Sequence, residues 1–125
     1  MSHILVVDDD PFMRDALGFS LEMRGFEISL AAGVDEALRM LVDSADKSFD
    51  AVISDTQMPE KDGLVLLAEL KRVESRFRGL PFILLSGDMT PELREKAIQG
   101  GAREALSKTE RRLSGLLGEL LNLND

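Results

Sequence analysis

The sequence predicts an α/β architecture of five β–α units, (βα)5, in which a doubly wound, five-stranded parallel sheet is covered by helices on both faces. Three observations carry this. Five short apolar runs alternate with segments of helical periodicity. The runs Ile4-Leu5-Val6-Val7, Ala51-Val52-Ile53-Ser54 and Phe82-Ile83-Leu84-Leu85 are continuous rather than alternating, as strands buried on both faces require. Cap residues followed by proline, and glycines, mark where the helices open and close. The 125 residues show no repeat, linker or low-complexity tract, so one domain is expected over residues 1–125.

Taken in order, Ile4–Val7 is the first strand and ends in three aspartates. Asp10-Pro11 reads as an N-cap followed by proline at the first helical position. Phe12, Ala16, Phe19 and Met23 space one face of the first helix, which Gly25 terminates. Glu27–Ala31 is a weaker strand, followed after Gly33 by a helix with Ala37, Leu38, Leu41 and Val42 inward. The third strand, Ala51–Ser54, runs into Asp55, and a loop from Thr56 to Gly63 leads to a helix through Leu64, Leu67 and Leu70. Pro81 opens the fourth strand, Phe82–Leu85, which ends at Ser86-Gly87. Thr90-Pro91 repeats the cap-then-proline signal for a helix closed by Gly100-Gly101. A short fifth strand, Glu104–Ser107, reaches Lys108, and Thr109 is expected to cap a last helix. In that helix Leu113, Leu117 and Leu120 read as core, and the additional Leu116, Leu121 and Leu123 leave a second reading open, a stripe widened into a partner surface.

Composition narrows the chemistry. With no cysteine there is no disulfide framework, thiolate zinc site, iron–sulfur cluster or thiol nucleophile. Twenty-three acidic residues against 15 basic ones give a net charge of −8, which repels nucleic-acid phosphates. The longest apolar runs fall far short of a membrane span, and the Met1-Ser2-His3-Ile4 start has no signal-peptide features, so a cytoplasmic protein is expected.

Parallel sheets bind ligands beyond the carboxyl ends of their strands. There the chain places Asp8 and Asp9 after the first strand, Asp55 after the third, Ser86 after the fourth and Lys108 after the fifth. Converging carboxylates repel one another unless a cation is present, and oxygen-only donors suit octahedral Mg²⁺. Such an ion beside Lys108 makes a pocket for a phosphoryl group, with Ser86 donating to one oxygen and Asp55 as nucleophile forming an acyl phosphate. Asp10 reads as a cap rather than a ligand, because Pro11 follows it.

On Ile4–Asp9, on the stretch V-I-S-D-T-Q-M-P-E-K-D-G from Val52 to Gly63, and on Gly101-Ala102 ahead of Lys108, the chain resembles a receiver domain of a two-component response regulator. The resemblance covers essentially the whole chain. It implies the flavodoxin-like fold with strand order 2-1-3-4-5. It also implies that Asp8, Asp9 and the backbone carbonyl of Gln57 hold Mg²⁺ with Asp55, and that Asp55 is the phospho-acceptor. Ser86 and Lys108 match the residues that contact the phosphoryl group, and Gln57 and Asp88 match two variable positions that influence how fast it is lost. The implied partners are a sensor histidine kinase or a histidine phosphotransfer protein, with a downstream protein or output domain. Neither nucleic acid nor membrane is among them. The implied role is a self-phosphorylating acceptor with slow autodephosphorylation, not a turnover enzyme.

Three departures stand out. Thr109 follows Lys108 where the family usually has proline in a cis peptide, so a trans bond and a shifted Lys108 approach are expected. Ala105 stands at the family's aromatic switch position, and Gly87 leaves an uncluttered rim after Ser86. The first two favour an alternative role, a receiver-fold binding module indifferent to phosphorylation. A haloacid-dehalogenase-type phosphatase, suggested by Asp8-x-Asp10, fits poorly: Pro11 and Phe12 follow the wrong pattern and no cap domain fits in the length.

Overall fold

The computed structural model describes residues 2–43, 49–58, 60–72 and 75–122. The elements are β1 (His3–Val7), α1 (Pro11–Glu22), β2 (Glu27–Ala31), α2 (Val34–Asp43), β3 (Ala51–Asp55), α3 (Gly63–Leu70), β4 (Phe82–Ser86), α4 (Pro91–Gln99), β5 (Glu104–Ser107) and α5 (Leu113–Asn122). All neighbouring strands are parallel, in the order β2-β1-β3-β4-β5, as expected.

The two-residue period of the strands divides the core into two layers. Leu5, Val7, Val52, Phe82, Leu84 and Ala105 pack on one face with α2, α3 and Ala97 of α4. Ile4, Val6, Ile53, Ile83 and Leu85 pack on the other with Leu21 of α1 and Leu117 of α5. Every residue of β1, β3 and β4 is buried, which is why those runs carry no polar alternation.

The helix ends follow their caps. Asp10 accepts from Phe12 N, Asp62 from Val65 N and Thr90 from Leu93 N. Gly25 and Gly101 take positive φ (96° and 110°) after α1 and α4, a conformation open to glycine at little cost.

Four expectations are corrected. Phe12, Phe19 and Met23 do share a face of α1, but they are 78%, 55% and 76% exposed. Leu17 and Leu21, on a competing stripe, turn inward. Val42 is exposed because the inward stripe of α2 is Val34, Ala37 and Leu41 at helical spacing. Thr109 does not cap α5: the helix starts at Leu113, and Thr109 shares a 2.7 Å hydroxyl contact with Ser107. Leu121 belongs to the core rather than to a partner surface, while Leu123 lies outside the described residues. Gly115 and Gly118 weaken α5 by about 1 kcal/mol each relative to alanine, so packing holds it.

Candidate functional site

The site is built by the pleat. Asp8 continues the face of Ile4 and Val6, and Asp55 that of Ala51 and Ile53, two strands that lie side by side. The ladder also outlasts the strands, since Asp8 N donates to Ala31 O (3.0 Å) and Lys108 N to Ser86 O (2.8 Å). Lys108 therefore follows Leu106 onto the same face. Three remote segments are aimed at one point by strand geometry alone.

At that point the Lys108 ammonium lies 2.8 Å from Asp8 Oδ2 and 3.0 Å from Asp55 Oδ2. Carboxylate oxygens of Asp8, Asp9 and Asp55 all fall within 4.8 Å of one another. Asp8 and Asp55 are buried. The second oxygen of Asp8, Oδ1, accepts from Asp10 N at 3.0 Å, and its carbonyl accepts from Arg14 at 3.1 Å. The expected cluster of Asp8, Asp9, Asp55 and Lys108 is thus assembled, and Asp10 is spent on capping α1.

Burial pushes the Asp55 carboxyl up, the Lys108 hydrogen bond works against this, and the charge of Asp8 adds to the rise; the net direction is upward. Burial disfavours the Lys108 ammonium, but its bonds to Asp8 and Asp55 prevail and raise its pKa. Asp55 is therefore a more basic carboxylate than a free aspartate, beside a cation that stays charged.

Ser86 is buried at the end of β4, and its Oγ accepts from Asp88 N at 3.2 Å. Gln57 lies on the exposed loop two residues beyond Asp55. Pro59, within the quoted motif, lies outside the described residues. Gly87 does open the rim, since a Cβ there would meet nothing within 4 Å. The Lys108–Thr109 peptide is trans, and the lysine still reaches both carboxylates. Ala105 is buried in the core with Leu84, Ala97 and Ala102.

Several supporting groups lay beyond the sequence reading. Ser54 Oγ donates to Asp55 O (2.9 Å), and Thr56 donates both its N–H and its Oγ1 to Leu85 O. Gly63 N donates to Thr56 O at 2.8 Å, and a Cβ on Gly63 would overlap the Asp55 carbonyl oxygen. The Asp-Gly pair before a leucine-rich run was the available signal, since Asp62 is the cap of α3.

Comparison with known proteins agrees with this geometry. The family model described as "Response regulator receiver domain" matches residues 4–116. The transcriptional regulatory protein FixJ of Bradyrhizobium diazoefficiens is 38% identical over 106 residues, covering 85% of this chain and 49% of FixJ. The chain thus spans about half the length of that relative, and 23% of the transcriptional regulatory protein GlrR of Escherichia coli. The two-component response regulator ORR8 of Oryza sativa subsp. indica is 33% identical, with 85% of each chain covered. Among solved structures, a response regulator receiver domain protein from Clostridium thermocellum superposes with a TM-score of 0.86 at 29% identity, covering 99% of this chain and 94% of that one. TrrA of Thermotoga maritima, solved in complex with Mg²⁺-BeF, gives a TM-score of 0.83 at 28% identity over the full length of both chains. With a buried acidic pocket at the carboxyl edge of a 2-1-3-4-5 sheet and a family match over most of its length, this chain belongs to the response regulator receiver domain family.

Proposed function

We propose that the chain accepts a phosphoryl group on Asp55 from the phosphohistidine of a sensor kinase or a phosphotransfer protein, and signals by altered partner binding. The observation that carries this is Lys108 spanning Asp8 and Asp55 inside a three-carboxylate cluster. Asp55 Oδ attacks the phosphorus, the P–N bond breaks as the P–O bond forms, and the imidazole leaves and takes a proton from solvent. Lys108, already charged and positioned, pairs with a phosphoryl oxygen as negative charge builds up there. Ser86 Oγ accepts from Asp88 N and keeps its own proton to donate to another oxygen. The chain acts as an acceptor that slowly loses its phosphoryl group, not as a turnover enzyme.

Asp8, Asp9 and Asp55 offer only oxygen donors, clustered closely enough to fit a hard divalent cation such as Mg²⁺, with the Gln57 carbonyl as a further ligand. When bound, Mg²⁺ neutralises charge shared between these carboxylates and the phosphoryl oxygens. Millimolar Mg²⁺ is expected to raise the melting temperature by roughly 3–5 °C per kcal/mol of binding stabilisation, because it binds only the folded state. Asp9→Asn removes most of that gain, and a melting curve indifferent to Mg²⁺ would refute the metal assignment.

Incubation with a small acyl phosphate plus Mg²⁺ tests the acceptor role directly: one base-labile phosphoryl group per chain is expected. A protein that stays unmodified would favour a second reading, a phosphorylation-indifferent binding module, to which the buried Ala105 lends some support. Ala105 has no ring to rotate, and a methyl displaces too little volume to reshape the face around α4 and β5. Amide NMR shifts on beryllofluoride binding are therefore expected at Ser86, Gly87 and the loop to Pro91, with β5 little perturbed. Large shifts along Glu104–Ser107 and into α5 would show that another residue performs the switch.

A further inference from the structure

A cleft of about 670 Å³ lies between the C-terminal end of α1 and the start of α5, and Arg24, Arg111 and Arg112 line it. In a chain of net charge −8, some cations find partners, Arg94 with Glu104, Lys61 with Asp35 and Lys108 with two aspartates, and of those whose side chains do not, three line this one cleft. The side chains of Arg24, Arg111 and Arg112 make no hydrogen bond or ion pair among the described residues. Glu119 is the one carboxylate in the lining, and it pairs with none of them. The arrangement also opposes the helix dipole, because guanidinium groups gather beside the first turn of α5, which holds no acidic residue.

Arg24 is accommodated there by glycines. A Cβ on Gly115 would lie 3.5 Å from Arg24 Nη2, and one on Gly118 would lie 3.3 Å from Arg24 Cδ. The side chain thus runs along α5 in a track that larger residues would crowd. Guanidiniums without side-chain partners lining one polar cleft of ligand-site size match the bidentate recognition of phosphate oxygens.

We propose that this cleft, whose lining holds none of Asp8, Asp55 and Lys108, binds an anion with linked phosphate groups, either a polyphosphate chain or a nucleotide carrying one. Three guanidiniums spread over one cleft suit several linked phosphates better than a single one.

The test is a titration of the full chain, without divalent cations so that the acidic pocket takes no part, followed by amide and Arg Nε NMR. The probes are tripolyphosphate, ATP and inorganic phosphate at fixed ionic strength. Tripolyphosphate is expected to give saturable shifts at Arg24, Ser114, Gly115 and Gly118, with inorganic phosphate at least about tenfold weaker. The double variant Arg24→Gln/Arg112→Gln should weaken tripolyphosphate by about tenfold or more while melting as the parent does and accepting phosphoryl groups normally. Equal affinity for ATP and tripolyphosphate assigns recognition to the phosphate chain, and tighter ATP binding assigns it to a nucleotide. Unchanged affinity in the double variant would overturn the site. So would inorganic phosphate binding as tightly as tripolyphosphate, or shifts spread equally over Lys71, Arg78 and Arg103 on the opposite side of the sheet.

Discussion

Asp55→Asn is expected to abolish phosphoryl uptake altogether, with mass spectrometry finding no base-labile phosphoryl group where the parent chain carries one. The amide has nearly the shape of the carboxylate but lacks a nucleophilic anionic oxygen. Stability should not fall with activity. The Asp55 carboxyl is pushed up in the folded protein, so its contribution to stability is present in acid and lost as pH rises through the folded value. At neutral pH the ionised side chain opposes folding, and asparagine removes that opposition along with repulsion from Asp8. Asp55→Asn is therefore expected to melt no lower than the parent at pH 7. Lys108 retains its bond to Asp8, so the cation is not orphaned. Full labelling of Asp55→Asn would place the nucleophile elsewhere, whereas its absence together with an unchanged melting curve ties the chemistry to this one oxygen pair.

The strands and the acidic pocket were legible in the sequence for one physical reason. A fully buried parallel strand must be an unbroken apolar run, so the first polar residues after it mark the sheet edge. Asp8 and Ser86 sit directly past such runs, Asp55 one residue past another, and Lys108 past the short, partly buried edge strand; the edge brings Asp8, Asp55 and Lys108 together. Helix faces were less legible. In α1, periodicity groups Phe12 with Phe19 and Met23, and equally Leu17 with Leu21, but it does not say which stripe meets the sheet. The smaller stripe won because Gly18, buried against Leu30 and Ile28 of β2, lets the helix approach closely on that side. Val42 failed similarly: it is adjacent to Leu41 in sequence but about 100° away around the helix. Thr109 has the chemistry of a cap, yet Ser107 takes its hydroxyl and three residues pass before α5 begins. These choices depend on contacts between distant segments, which a local pattern does not encode.

Gly63→Ala is expected to be the most damaging conservative change near the site. By helix propensity alone alanine would be favoured, by up to about 1 kcal/mol. Packing decides otherwise. The new methyl would overlap the carbonyl oxygen of Asp55 and approach Leu84 Cδ1 to 3.0 Å, and a backbone atom of a central strand has nowhere to go. The start of α3 must move away, stretching the 2.8 Å bond from Gly63 N to Thr56 O and loosening the Asp62 cap. Overpacking of this kind costs about 2–3 kcal/mol, which urea denaturation would read as a lower midpoint with an unchanged slope. Because the clash falls on the backbone of Asp55 itself, the rate of phosphoryl uptake should drop as well, by up to about 100-fold for a displacement near 1 Å. Gly87→Ala is the control. It lies on the rim of the same site, but its methyl would meet nothing within 4 Å, so stability should stay within about 0.5 kcal/mol of the parent. If Gly63→Ala proved as stable and as quickly phosphorylated as Gly87→Ala, α3 would have to be free to slide outward without carrying Asp55 along, and the close approach of its first residue to β3 would not be what positions the acceptor.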